Sequence, residues 1–338
     1  MRIPTQLRKP VVFEEGCAQI WPEEEIQEFE KLGDAPSGGH AGQLRIPQHH
    51  AYTVEDAFSV INGYRRAAER IGWEFVVRGQ TRDYYHESTG RLTALPAIMR
   101  PQTLGMYMDY IYVNPAYQEA LKPWLGVLEN LGIETGTKGV RHPVAVGRTN
   151  PVLLAILQHY GFPTDHLDVT TDPIVAVWFA LHATKSNDSG KISFKPLRPK
   201  RAVKRPKRPR TDDVAALPTV HVVIQPPFRA DELGQPFPLV HLNSIAALTS
   251  VAQRPVCQSA VSLPCTAAHV SLEDYPLENT VTFRTRSIYR WPSAIIKLYF
   301  PFESLGHPEI TPQGLFPPDE VLYTRLREAH APHLAIYA

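Results

Sequence analysis

Gln158-His159-Tyr160-Gly161-Phe162-Pro163-Thr164-Asp165-His166-Leu167-Asp168-Val169-Thr170-Thr171-Asp172-Pro173 is the stretch on which the fold turns. Polar, hydrogen-bonding side chains crowd it, and apolar helical patterns flank it on both sides. Upstream, Asn150-Pro151 marks a helix start: a capping side chain, then proline at the first helical position, where a missing N–H costs nothing. Val152 to Tyr160 continues that helix, and Gly161 and Pro163 stop it. Downstream, Asp172-Pro173 repeats the signal and opens Ile174-Val175-Ala176-Val177-Trp178-Phe179-Ala180-Leu181. That run is apolar on nearly every face, so its helix must be buried among other elements. The polar stretch between is expected as a turn held by two rigid elements, where binding groups concentrate.

Working outward, Thr53 reads as an N-cap, with Glu55 and Asp56 in the first turn where the helix dipole favours acids. Ala57, Phe58, Ile61, Tyr64, Ala68 and Ile71 recur at helical spacing, and Gly72 ends the helix. Trp73-Glu74-Phe75-Val76-Val77 follows with strand character and runs into Arg78-Gly79-Gln80. Three further strands are expected at Lys191-Ile192-Ser193-Phe194, Thr219-Val220-His221-Val222-Val223-Ile224 and Ile295-Ile296-Lys297-Leu298-Tyr299-Phe300. A short C-terminal helix begins near Asp319. Helices and strands mix without regular βαβ alternation, so the fold class is α+β: a mixed or antiparallel sheet packed against several helices. Residues 1–50, rich in Pro, Gly and charge, read as an irregular arm. Residues 51–330 form one large domain, interrupted at 195–212 by a basic, Pro-rich loop. From Lys195 to Arg210 nine cations and no acid oppose a packed structure, so the loop is expected to be exposed and disordered.

The 338 residues are 43% apolar, ample for a core, and 20% charged, which argues against global disorder. A net charge of +1 gives no global pull towards nucleic acid or anionic membrane. Cys17, Cys257 and Cys265 make no CxxC pair, which fits free thiols in a reducing compartment. The N-terminus lacks an apolar signal region, and no run approaches the length of a membrane span. A cytoplasmic location is expected, or a nuclear one in a eukaryote. No histidine or cysteine spacing makes a metal site. Neither a phosphate-cradling G-x-x-x-x-G-K-[ST] loop nor a G-x-S-x-G nucleophile elbow occurs.

Two segments carry candidate chemistry. Arg78 ends a strand, where its guanidinium can bind phosphate or carboxylate through two donors. Gly79 beside it lets a ligand or a backbone come close. The competing reading of Arg78 is a structural ion pair. In the polar stretch, His159 reads as a base, Asp168 as its orienting partner and Thr170 as a hydroxyl donor. Helix capping and a satisfied buried histidine explain the same residues without chemistry.

Together these segments resemble the FRG domain family. Val77-Arg78-Gly79-Gln80 is similar to the family's opening F-R-G-Q, with Val77 for the aromatic. Leu95-Pro96-Ala97-Ile98-Met99-Arg100 follows its L-P-S-x-x-R, with Ala97 for serine. Gln158, His159, Tyr160, Gly161, Pro163, Thr164, Leu167, Asp168, Thr170, Pro173, Ala176, Phe179 and Ala180 match the family's second block, and Asp165 replaces its usual arginine. Arg254 and Gln258 match a third, weaker block; Lys297 to Pro301 and Leu315 to Asp319 match the closing pieces. The resemblance spans roughly residues 50–328. A more distant analogy, to ADP-ribosyltransferase-like folds, implies a nucleotide site. In it Arg78, Gly79, Gln80, Gln158, Thr164 and Thr170 would bind NAD as substrate, and His159 and Asp168 would be catalytic. No Glu-x-Glu or Gln-x-Glu element lies late in the chain, where such enzymes carry their strand glutamate, and no motif selects Glu278, Glu303 or Glu320 in its place. A non-catalytic regulatory or binding module is the alternative. The basic tract adds nucleic acid as a candidate partner through its phosphates. The sequence does not set the oligomeric state.

Overall fold

The computed structural model describes residues 11–12, 19–20, 48–81, 84–86, 91–93, 115–134, 151–164, 166–186, 191–197, 217–225, 239–264, 292–306, 310–331 and 334–337. Most of the N-terminal arm, Leu95 to Arg100, Asp165, the basic tract from Arg198 onward, Cys17, Cys265 and Glu278 lie outside these residues. The strands in chain order are β1 (Val11–Val12), β2 (Gln19–Ile20), β3 (Gln48–Ala51), β4 (Glu74–Gln80), β5 (Tyr84–His86), β6 (Arg91–Thr93), β7 (His166–Thr170), β8 (His182–Ser186), β9 (Lys191–Pro196), β10 (Thr219–Gln225), β11 (Val240–His241), β12 (Ala260–Pro264), β13 (Pro292–Leu298) and β14 (Ile336–Tyr337). The helices are α1 (Val54–Ile71), α2 (Pro115–Asn130), α3 (Pro151–His159), α4 (Pro173–Leu181), α5 (Ala246–Thr249), α6 (Arg254–Cys257), α7 (Pro312–Leu315) and α8 (Val321–Glu328).

Local signals set the ends of these helices. The Thr53 hydroxyl accepts from Asp56 N at 3.1 Å while the Asp56 carboxylate accepts from Thr53 N at 3.0 Å. This reciprocal pair satisfies two of the amide donors that a helix start leaves open. Gly72 closes α1 in the left-handed region at φ 72°. Asp172 Oδ1 accepts from Ile174 N at 2.8 Å and caps α4, with Pro173 at its first position. Among the described residues, no helix is long and apolar enough to cross a membrane.

A seven-stranded sheet runs in the order β11-β12-β7-β4-β10-β13-β3. Every pairing in it is antiparallel except β13 with β3. A smaller sheet, β14-β9-β8, stands apart from it. The class is α+β, in one domain. Side chains alternate across a sheet, so the register says which face each residue serves. Val77, Thr170 and Ala260 stand in one cross-strand row. Val77 joins α1 and α4 in a core with Val220, Val222, Ala294 and Ile296. Ala260 joins α2, α3 and α8 in a second core around Trp124, Leu157 and Phe162. The long helices therefore cover one face of the sheet. On the opposite face Val76, Leu167, Val169, Val223, Val261 and Leu263 form a separate buried strip.

Helix α4 confirms the expectation that an all-apolar helix is enclosed. Ala176, Val177, Ala180 and Leu181 face the sheet core, while Val175 and Trp178 pack against Leu315 and Phe316 behind it. Two expectations change. The polar stretch is not a turn throughout: its second half is β7, paired with β12 from Ala260↔Thr170 to Pro264↔His166. Leu167 and Val169 alternate with His166, Asp168 and Thr170, which is a strand period that turn-forming residue types disguise. Arg78 does not end its strand either. β4 continues through Gln80, with Arg78 opposite His221, Gly79 opposite Val220 and Gln80 opposite Thr219.

Candidate functional site

Strands β4 and β7 share one described pair, Val77↔Thr170. Beyond it, the Arg78 guanidinium reaches across, and its Nη1 donates to the Asp168 carbonyl oxygen. Arg78 Nε donates to Gln80 Oε1 at 3.3 Å, which fixes the orientation of the Gln80 amide. Gln80 Nε2 must then donate to His221 Nε2, 2.9 Å away. His221 consequently carries its proton on Nδ1. Burial, and then the charge of Arg78, lower the His221 imidazole to about 3, so it stays neutral and serves as an acceptor.

The turn after α3 supplies the other side. Gly161 adopts φ 104°, a conformation that a side chain would strain, and the chain reverses there. Gln158, at the end of α3, reaches over the turn. Its Oε1 accepts from Thr164 N at 3.3 Å and from Thr164 Oγ1 at 3.0 Å, and its Nε2 donates to Asp168 Oδ2 at 3.3 Å. Thr164 Oγ1 in turn accepts from His166 N at 3.2 Å. Next to Gln158, His159 places Nδ1 3.5 Å from Asp168 Oδ1. That distance suits a charge contact and is long for a hydrogen bond; Oδ1 has no hydrogen-bond partner among the described residues. His159 Nε2, on the far edge of the ring, is likewise buried without one.

Exposure separates these groups. The His159 side chain keeps 3% of its surface and Asp168 keeps 38%. Gln80, Gln158, Thr164 and Thr170 are buried, and Arg78 is half-buried. Burial pushes the Asp168 carboxyl up, but His159, Arg78 and Gln158 outweigh it and hold the group below its usual value. Within that side chain Oδ1 is itself buried, so the exposed surface of Asp168 lies on the rest of the side chain.

The expected residues therefore divide. Arg78, Gln80, Gln158, His159, Thr164 and Asp168 form one connected group. Thr170 stands at the other end of β7, where its hydroxyl donates to Gln258 O at 2.8 Å and accepts from Asp172 N at 2.9 Å. What comes close to Gly79 is helix backbone: a Cβ there would lie 1.8 Å from Ala176 O and 2.6 Å from Ala180 N.

Sequence reasoning gave no structural role to three participants. His221 alternates with Val220 and Val222, and that period was the available signal for its place beside Gln80. Arg254 is buried between the rings of Tyr160, Phe316 and Tyr323, each 4.8–5.3 Å from its guanidinium carbon. Glu320 accepts from Gln253 N and Arg254 N at 3.0 and 2.8 Å and lies 3.7 Å from Arg254 Nε. Its carboxylate caps α6, a role that no local motif announces. Gln258 ties this corner to the rest: its side chain donates to Leu315 O at 2.7 Å while its carbonyl receives Thr170.

A family model, the FRG domain, matches residues 128–189. The match takes in Gln158, His159, Thr164, Asp168 and Thr170; Arg78 and Gln80 precede it. No curated protein and no solved structure matches the chain.

Proposed function

From the premise that this chain carries an FRG domain, we propose that its β4–β7 junction binds a nucleotide of the NAD type and supports ADP-ribosyl-transfer-like chemistry. The observation that carries the reading is the meeting of Arg78 with the Gln158–His159–Asp168 group, from segments 80 residues apart or more, at an Asp168 side chain that keeps 38% of its surface. A half-buried guanidinium held in place suits a pyrophosphate. The network holds Arg78 by two of its own hydrogen bonds, so its position is set before a ligand arrives. Isothermal titration of the intact protein with NAD, ADP-ribose and ATP tests the reading. The expected outcome is binding of at least NAD, weakened about tenfold or more in Arg78→Ala, a change worth roughly 1.4 kcal/mol or more. Absence of binding by all three nucleotides removes it.

A second reading has its own observation. Gln80, Gln158, Thr164 and Thr170 are buried with hydrogen-bond partners inside the protein. Buried polar groups satisfied in this way can serve to define one fold and need no ligand. In that case the chain is a non-catalytic module, and Arg78→Ala lowers stability without changing any nucleotide titration.

A further inference from the structure

The residue pattern alone makes His159 the base and Asp168 its support. The geometry points to the opposite assignment. We infer that Asp168 is the catalytic carboxylate of an N-glycosidic hydrolysis and that His159 is a positioning residue behind it. This inference rests on the nucleotide reading given above and deepens it by naming the reacting group and the bond that breaks.

The argument starts from access. His159 keeps 3% of its side-chain surface and cannot touch a substrate without displacing its surroundings, whereas Asp168 keeps 38%. Every contact that His159 makes with the group is through Nδ1, on the side of Asp168 Oδ1. Gln158 holds the other carboxylate oxygen, Oδ2, at 3.3 Å. Oδ2 is thus held by a hydrogen bond, while the buried Oδ1 has the 3.5 Å contact with His159 Nδ1. Arg78 donates to the carbonyl of the same residue, so the group expected to meet a pyrophosphate is locked to the backbone that carries the acid. Three other acids of the described residues are engaged elsewhere. Glu320 is buried and caps α6, Asp172 caps α4, and Glu74 lies at the opposite end of β4 beside His241. Among these acids, Asp168 is the one joined to both Arg78 and His159.

The step balances with water as co-reactant. The bond between ribose C1′ and the nicotinamide ring nitrogen breaks, and its electron pair stays on that nitrogen, so nicotinamide leaves neutral. The Asp168 carboxylate faces the cationic sugar carbon. It takes a proton from the water whose oxygen forms the new bond to C1′. ADP-ribose and nicotinamide depart, and the proton is lost to solvent when the carboxyl ionises again. The lowered pKa of Asp168 keeps the carboxylate ionised at neutral pH.

The test measures NAD binding by calorimetry and nicotinamide release by chromatography on the full chain, for the native protein, Asp168→Asn and His159→Gln. Support consists of NAD binding within about threefold of native in Asp168→Asn with turnover reduced about 100-fold or more, the usual scale for a lost acid–base group. For His159→Gln, the acid limb of the rate profile should move to higher pH, because the partner that favours the ionised carboxylate is gone. If Asp168→Asn does not fold, Asp168→Glu replaces it, with binding kept and turnover down at least about tenfold from a misplaced charge. Native turnover in Asp168→Asn, or in Asp168→Glu where that variant stands in, overturns the inference and leaves the nucleotide reading standing, as does NAD binding with no release by the native protein. A His159→Gln profile superimposable on native removes the positioning role. No NAD binding by the native protein overturns both.

Discussion

Lys297 is fully buried in the middle of a sheet, with its Nζ 3.2 Å from Thr219 Oγ1. It lies in a polar row across the face opposite the helices, where the register sets Gln80, Thr219, Lys297 and His50 side by side. Burial lowers its ammonium to about 7. The unfolded chain has the ordinary value of 10.5, so between pH 7 and 10.5 it binds more protons than the folded one. Stability must then rise with pH across that window, by on the order of 3 kcal/mol from pH 7 to 9.5. Above pH 10 the trend reverses, because burial raises the Tyr64 and Tyr160 phenols and the unfolded chain ionises first. Urea unfolding at pH 7 and 9.5 checks the slope, and Lys297→Met should abolish most of it. A buried amine offers no hydropathy signal of its own. In Ile295-Ile296-Lys297-Leu298 it reads as the one outward residue of a strand, and its burial depends on what lies over that face.

At the scale of elements, the seam between β4 and α4 carries the site. Gly79 lets the helix backbone settle on the strand, with Ala176 and Ala180 as the small residues facing it. Gly79→Ala forces a methyl group to within 1.8 Å of Ala176 O, so either the helix lifts or the strand shifts. The expected loss is about 3 kcal/mol or more, at the upper end for overpacking, seen as a lowered urea midpoint. Nucleotide binding should weaken with it, since Arg78 precedes Gly79 in the same strand. Elements further along hold the other side. Ser259 adopts φ 45°, an uncommon conformation for a residue with a side chain, and its carbonyl accepts from Thr171 N at 3.3 Å. Glu320 at the start of α8 caps α6, and α6 leads into that bend. The C-terminal helix thereby supports the end of β7 that Thr170 occupies. Strain beside a polar cluster is affordable because surrounding packing over-determines it.

Across the whole molecule, several buried groups act in one direction on acid stability. Burial, reinforced by His50, lowers His49 to about 4, and burial and Arg78 lower His221 to about 3. Both are neutral in the fold and protonate near 6.5 when unfolded, so stability falls as pH drops below 6.5 and continues to fall to about 4. Asp168 adds to this at lower pH, since its contribution is lost as the carboxyl takes up a proton. Chemical unfolding midpoints should decline steadily from pH 7 to 4.5, and His221→Gln should flatten that decline without altering the rise above pH 7. A flat profile would mean that these rings reach solvent. The seam that joins the sheet to its helices also joins both halves of the candidate site, so acid should release site and fold together.

Much of this architecture was legible in the order of residues. Thr53 with Asp56, Gly72, Asp172-Pro173 and Gly161 each act through their own backbone within a few residues, so local chemistry sufficed to place α1, α3, α4 and the turn. The all-apolar face of α4 required enclosure whatever enclosed it. Tertiary structure alone decided that His166 to Thr170 would be a strand, because pairing with β12 supplies the hydrogen bonds that turn-forming side chains compete for. It alone decided that Glu320 would cap α6 from 66 residues away. It also decided which member of the His159–Asp168 pair meets the solvent, because exposure depends on every element folded around a residue, and no stretch of chain carries that information by itself.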